Sequence, residues 1–220
     1  MQRIVIVSAS GDYLDPWHRF ADTSAEIAAV LGPLGEVALT DAVDAALASP
    51  DPSTRLLVVN VGNAGSGTPS PAARDGLVGY VNAGGSLLVV HSSATAFPDW
   101  DAWEALVGGR WVRGTTWHPP KAPGRVVVDP AHPMLVGLSD FEVDDEFYTD
   151  LRVGNAVRVV AHHVLDAVAH PLAWEHRVGA GRVVYVALGH DVDAYRWAGM
   201  RDLLHRSASW LLTERTPASG

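Results

Sequence analysis

Ten histidines and no cysteine among 220 residues set the chemical vocabulary of this chain. Without a thiol there is no disulfide, thiolate zinc site, iron–sulfur cluster or cysteine nucleophile. Acid–base work and metal ligation fall to imidazoles and carboxylates. Three histidines stand out by position. His91 closes the apolar run Ser86–His91 (SLLVVH), and Ser92, Ser93 and Thr95 follow it. His190, with Asp191 beside it, follows Arg182–Leu188 (RVVYVAL) through Gly189. His18 lies in the loop after the first apolar run. A polar side chain at the end of a buried strand needs a cleft opening there. Three imidazoles with a nearby carboxylate suit either a divalent metal ion or a proton relay. Sequence leaves both open.

A carboxylate source is Asp140–Asp150 (DFEVDDEFYTD), with six acids in eleven residues. Phe141, Val143, Phe147 and Tyr148 interleave with the acids, so part of this run is anchored and Asp145 or Glu146 could turn inward as base or ligand. Adjacent residues in an extended stretch face opposite ways, which argues against the two acting as a glycosidase pair. Of the other histidines, His118, between Trp117 and Pro119, is the most site-like. His132-Pro133 reads as a turn, His162-His163 as a strand end and His205 as a surface residue. Among eight tryptophans, Trp17, Trp100 and Trp117 offer faces that stack on pyranose rings. No phosphate-binding G-x-x-x-x-G-K-[ST], hydrolase G-x-S-x-G or zincin H-E-x-x-H occurs. Gly62…Gly65…Gly67 lacks dinucleotide spacing, so the chain has no nucleotide-cofactor motif.

Positioning these groups requires a scaffold, and the first ninety residues alternate between strand and helix periods. Arg3–Ser8, Arg55–Asn60 and Ser86–His91 read as buried strands and Glu36–Leu39 as a shorter one. Phe20–Leu31, Ala42–Leu47 and Pro71–Asn82 read as helices. Thr23…Glu26 fits a capping box for the first of them, and Pro71 suits a first helical position. Trp100–Val107 and Arg196–Leu212 are further helices, the last with Trp197, Met200, Leu204 and Leu211 on one stripe. Residues 110–181 look loop-rich, with strand pieces at Arg125–Val128, Val157–Ala161 and Leu172–Trp174. Apolar, non-alternating strands between helices predict an α/β protein with a mainly parallel central sheet and helices on both faces.

With 48% apolar and 19% charged residues, the chain reads as one domain over 1–213 with a disordered tail, 214–220. A net charge of −9 without a basic run argues against nucleic-acid or anionic-membrane partners. No apolar run reaches spanning length and no signal-peptide core is present, so a cytoplasmic protein is expected. Self-association is left open.

The segments Gly84-Gly85-Ser86-Leu87-Leu88-Val89-Val90-His91-Ser92, Phe97…Asp99-Trp100…Leu106-Val107-Gly108-Gly109 and His118 follow one another in a familiar order. So do His132-Pro133…Gly137-Leu138…Phe141…Asp144-Asp145-Glu146…Tyr148 and Gly179…Gly181-Arg182-Val183…Leu188-Gly189-His190-Asp191. Together they resemble the trehalose-utilisation (ThuA-like) family over residues 3–212. The sequence departs from that pattern in the more basic stretch between Arg110 and Thr116. The resemblance implies a flavodoxin-like fold related to class I glutamine amidotransferases. In those relatives a cysteine follows the strand matching Ser86–His91; here His91 takes its region, so amidotransferase chemistry is excluded. The resemblance also implies a role in the use of trehalose or a related disaccharide or keto-sugar. The leading expectation is an enzyme, a sugar-modifying hydrolase or isomerase, with His91, His190, Asp191 and Glu146 as catalytic groups. His18, His91 and His190 are the metal candidates, and Trp17, Ser92, Trp100, Trp117, His118 and Tyr148 the candidate contacts to a small carbohydrate. The alternative is a non-catalytic sugar-binding or regulatory module on the same scaffold.

Overall fold

A computed structural model of the protein describes residues 2–62 and 67–213. The tail 214–220 and Gly65 lie outside the described residues. The N-terminal part runs β1 (Arg3–Ser8), α1 (Phe20–Leu31), β2 (Glu36–Thr40), α2 (Val43–Ala48), β3 (Thr54–Asn60), α3 (Pro71–Asn82), β4 (Ser86–Val90) and α4 (Asp101–Val107). Next come β5 (Gly109–Arg110), β6 (Ala122–Val128), β7 (Phe141–Asp145), β8 (Arg152–Val153), β9 (Arg158–Leu165), β10 (Val168–Val178), β11 (Gly181–Val186) and α5 (Ala198–Leu212).

Nine strands form one sheet in the order β2-β1-β3-β4-β11-β10-β9-β6-β7, while β5 and β8 make a separate ribbon. The strands from β2 to β11 are parallel neighbours, in the flavodoxin-like order. Ile4, Ile6, Leu56–Val59, Leu87–Val90 and Val183–Val186 are all buried, because a parallel sheet covered on both faces has no solvent side for polar residues. Helices α1 and α5 pack on each other and on the sheet, and α2 and α3 form a second packed pair. In α5, Met200, Leu203, Leu204, Ala208 and Leu211 make the buried face.

Two expectations need correction. The central strands β2, β1, β3, β4 and β11 are parallel as expected, but the sheet as a whole is mixed, because β10, β9, β6 and β7 extend it in antiparallel pairing. The stretch read as loop-rich therefore carries this antiparallel half, and His162-His163 lies within β9 rather than at its end. The capping box also fails. Helix α1 starts at Phe20, so Thr23 is already inside it and its hydroxyl donates back to the Phe20 carbonyl at 3.3 Å. The cap that does form is Ser70, whose hydroxyl accepts from the Ala73 N–H ahead of Pro71 in α3. Trp197 precedes α5 as its N-cap and is half-buried.

Candidate active site

The carboxyl ends of β1, β4 and β11 deliver three imidazoles to one place. Strands β4 and β11 are hydrogen-bonded neighbours with Val90 opposite Val186, so the residues that follow them must lie close. His91 leaves β4 through a tight turn at φ 44°, a left-handed conformation rare outside glycine and often found where a site demands it. Ser93 fixes that turn, its hydroxyl lying 2.9 Å from the Val61 N–H beyond β3. His190 is reached through Gly189 at φ 113°, where a Cβ would meet the Tyr195 hydroxyl at 2.6 Å. His18 comes from the loop after β1. Ring centroids lie 5.0 Å apart for His18 and His91, 4.8 Å for His18 and His190, and 5.6 Å for His91 and His190.

Glu146 completes the group. One ligating atom each of His18, His91, Glu146 and His190 lies within 4.8 Å of the others. Glu146 Oε2 is 3.2 Å from His190 Nδ1, 3.8 Å from His91 Nε2 and 3.5 Å from His118 Nε2. Burial pushes the Glu146 carboxyl up, but the adjacent His190 ring, 3.2 Å away, outweighs it and holds it below the usual carboxylate range. Burial likewise favours a neutral His190, and the Glu146 carboxylate overrides it and raises the ring above its ordinary value. His91 is fully buried, and burial and then the neighbouring His18 push it well below its ordinary value.

The imidazoles are oriented from behind. His91 Nδ1 is 2.6 Å from the Ala187 carbonyl, which only accepts, so Nδ1 carries the proton and Nε2 presents a lone pair. His18 Nδ1 is 2.7 Å from Asp15 Oδ1, and that carboxylate also accepts from the Trp17 and His18 N–H groups. Burial pushes Asp15 up, but these bonds, led by the one from His18, hold it low. His18 Nε2 is then left buried with no hydrogen-bond partner among the described residues. A carboxylate behind a ligating imidazole is the usual support of a metal site, and three imidazoles with one carboxylate suit a divalent transition metal. The residues present thus fit a metal ion.

Asp145 does different work from its neighbour. Fully buried, it accepts from the Gly189 N–H at 2.7 Å and the His190 N–H at 3.2 Å, clamping the loop that carries His190. Burial pushes it up to about 7, against those backbone donors. The alternation read from the sequence is thus realised, with one acid turned to the loop and the next to the cluster. The cluster opens on a cavity of about 680 Å³ whose lining includes Trp17, His18, Trp111, His118, Glu146 and Tyr148.

A family model described as ThuA, trehalose utilisation, matches residues 17–211. The chain belongs to the ThuA family. Among solved structures, a ThuA-like protein from Parabacteroides merdae superposes with a TM-score of 0.80 at 18% identity, over 99% of this chain and 93% of that one. A ThuA-like protein from Bacteroides uniformis gives 0.77 at 15% identity, over 97% and 92%. A β-galactosidase from Bacillus circulans contains the same fold as 30% of its length, with a TM-score of 0.62 at 12% identity over 96% of this chain. No curated protein sequence matches the chain significantly.

Within this ThuA fold the other expected residues divide. Trp17 is largely exposed and lines the cavity, as do His118 and Tyr148. Tyr148 stacks on His91 and sets its hydroxyl 2.9 Å from His91 Nε2. Ser92 is buried, and its hydroxyl donates to the Val61 carbonyl at 3.2 Å, a tie between strand ends rather than a ligand contact. Trp100 is buried against Phe97 and Trp103. Trp117 is half-exposed, its Nε1 donating to Asp150 at 3.0 Å, and lies outside the cavity lining. Asp191 is held by Lys121 at 2.8 Å and accepts from the Asp193 N–H, so its carboxylate belongs to a salt bridge beside the cluster. Asp15, Trp111, Arg110 and Arg152 were not read from the sequence. For Asp15 the signal was the Asp-Pro pair, a turn initiator, three residues before His18. The two-residue strands β5 and β8 leave no periodic trace.

Proposed function

We propose that this protein is a carbohydrate-modifying enzyme, a hydrolase or isomerase of a disaccharide or keto-sugar, with a divalent metal ion held by His18, His91 and His190 beside the Glu146 carboxylate. The observation that carries the reading is His18, turned by Asp15 so that a buried, unpartnered Nε2 meets two more imidazoles and a carboxylate. An unsatisfied buried nitrogen costs about 1–3 kcal/mol, and this one faces two more imidazoles and a carboxylate, which is what sets it apart from the unpartnered ring nitrogens of His132 and His176 elsewhere in the fold. When bound, such an ion supplies Lewis acidity toward a carbonyl or a water molecule. The chain's own groups do the rest. Glu146, within reach of both His190 and His118, is the group able to take and return a proton at Oε2. Trp17, Trp111 and Tyr148 supply aromatic faces to a sugar ring and limit water access. Asp15 and Asp145 keep His18 and the His190 loop in place. The family's description as trehalose utilisation supports a sugar as substrate.

The test is a turnover screen of metal-loaded and chelated protein against disaccharides and their keto-sugar derivatives. The proposal expects conversion of at least one compound, lost on chelation and in His190→Ala. Binding without conversion in either state supports instead the non-catalytic module.

A further inference from the structure

Part of the basic stretch between Arg110 and Thr116 lines the same cavity. Arg110, Arg113 and Arg152 all face it, in a chain whose net charge is −9. Arg110 in β5 and Arg152 in β8 are direct cross-strand partners, an arrangement in which like charges destabilise a ribbon. Glu104 is the one carboxylate within 4.0 Å of either guanidinium among the described residues, and it is committed to Arg152, accepting from Nε at 2.6 Å and Nη2 at 2.5 Å. Arg110 Nη1 reaches it only at 4.0 Å. Its other contact is Nη2 to the Phe97 carbonyl at 3.5 Å, although only 9% of the residue is exposed. A guanidinium carries five N–H donors, so most of those of Arg110 are left to the cavity. Arg113 stands exposed beside it, with no ion-pair partner among the described residues. The Asp15 and Glu146 carboxylates also line the cavity but are engaged with His18 and His190 at the imidazole cluster, so three guanidinium groups and the Glu104 carboxylate leave the Arg110 wall with excess positive charge.

We infer that Arg110, flanked by Arg113 and Arg152, is an anion subsite, and that the ligand of this cavity carries a carboxylate or phosphate group. A planar guanidinium with free paired donors matches either oxyanion. A neutral disaccharide would leave this nearly buried cation with no counter-charge but a carboxylate 4.0 Å away that Arg152 already holds, a costly state. The inference rests on the reading that the cavity takes a sugar and narrows it to an acidic or phosphorylated one. The local departure from good ribbon design is the kind that a functional site tolerates.

Calorimetric titration of the metal-loaded protein with glucose, glucuronate, glucose 6-phosphate and inorganic phosphate tests it. Glucuronate or glucose 6-phosphate should bind at least about tenfold more tightly than glucose, and the stronger of the two identifies the anion. In Arg110→Gln the preference should fall below about threefold with metal content unchanged, while Arg110→Lys keeps part of it. Arg113→Gln, on an exposed loop, should weaken the same preference by about threefold and guards against misfolding of the first variant. Equal binding of glucose and both charged sugars, a preference that survives Arg110→Gln and Arg113→Gln, or no binding of any probe would overturn the inference. Inorganic phosphate bound through Arg110 with no sugar bound at all would keep the anion subsite and discard the carbohydrate reading.

Discussion

The Tyr148 hydroxyl lies 2.9 Å from His91 Nε2, on the lone pair that the Nδ1 bond to the Ala187 carbonyl leaves facing the cavity. The phenol is buried, and burial raises its pKa well above the ordinary value, so it is a neutral donor. In the metal-free protein it satisfies His91; a metal ion taking Nε2 must displace it. Tyr148→Phe should therefore destabilise the metal-free protein by about 1–3 kcal/mol and bind the metal at least as tightly as the unaltered chain. Denaturation with and without metal measures both. A metal affinity reduced by about tenfold or more would mean that the hydroxyl assists binding.

The pair of Glu146 and His190 fixes a pH dependence. His190 is raised above its unfolded value near 6.5, chiefly because the Glu146 carboxylate overrides burial. The native state then holds more protons than the unfolded one, so the pair's stabilisation is full below about pH 6.5 and is lost as pH rises through the folded pKa. Glu146 stays ionised through that window, its own pKa being held low. In metal-free protein Glu146→Gln should lower Tm at about pH 5.5 and leave it little changed at about pH 8.5. An equal loss at both pH values would show that the charge pair is not what links them.

Leu204 is fully buried on α5. Leu204→Ala should cost about 2–5 kcal/mol, read by chemical denaturation, without changing metal content. A loss below about 0.5 kcal/mol is the behaviour of a surface position and would remove α5 from the core.

The chain has no cysteine, and His91 takes the position where the resemblance to class I glutamine amidotransferases implies a thiol nucleophile. Purified protein should release no ammonia from glutamine above background, because no thioester can form. Ammonia release at ordinary enzymatic rates would require another nucleophile and would reopen the assignment of His91.

The sequence was most legible where burial is two-sided. β3, β4 and β11 are near-continuous apolar runs, and the turn after each is a candidate site position by the logic of parallel sheets, which is what makes His91 and His190 candidates. The antiparallel half was not legible. β9 and β10 mix Arg158, His162, His163, His170, Pro171, Glu175 and Arg177 into their strands, since one side of this extension is less covered, and the apolar signal breaks into fragments. The capping box misled because Thr23 and Glu26 have that spacing by chance inside a helix whose start, Arg19, bears no capping side chain. Trp100 and Ser92 misled for a related reason. Residue type suggested ligand contact, whereas only packing shows that Trp100 joins an aromatic cluster and that Ser92 ties β4 to β3. Glu146 emerged from its apolar neighbours Phe147 and Tyr148, while Asp15 sat in a loop without period.

The most direct test of the central claim is a calorimetric titration of the purified, chelated protein with zinc, manganese, nickel and iron(II), with the bound ion located by X-ray absorption. At least one metal should bind at one ion per chain, with nitrogen-rich coordination at about 2.0–2.2 Å. His18→Ala, His91→Ala and His190→Ala should each abolish it while Leu204→Ala does not. No saturable site for any of these ions, or binding that survives all three histidine substitutions, would contradict the account and return His18, His91, His190 and Glu146 to metal-free acid–base chemistry or to structure alone.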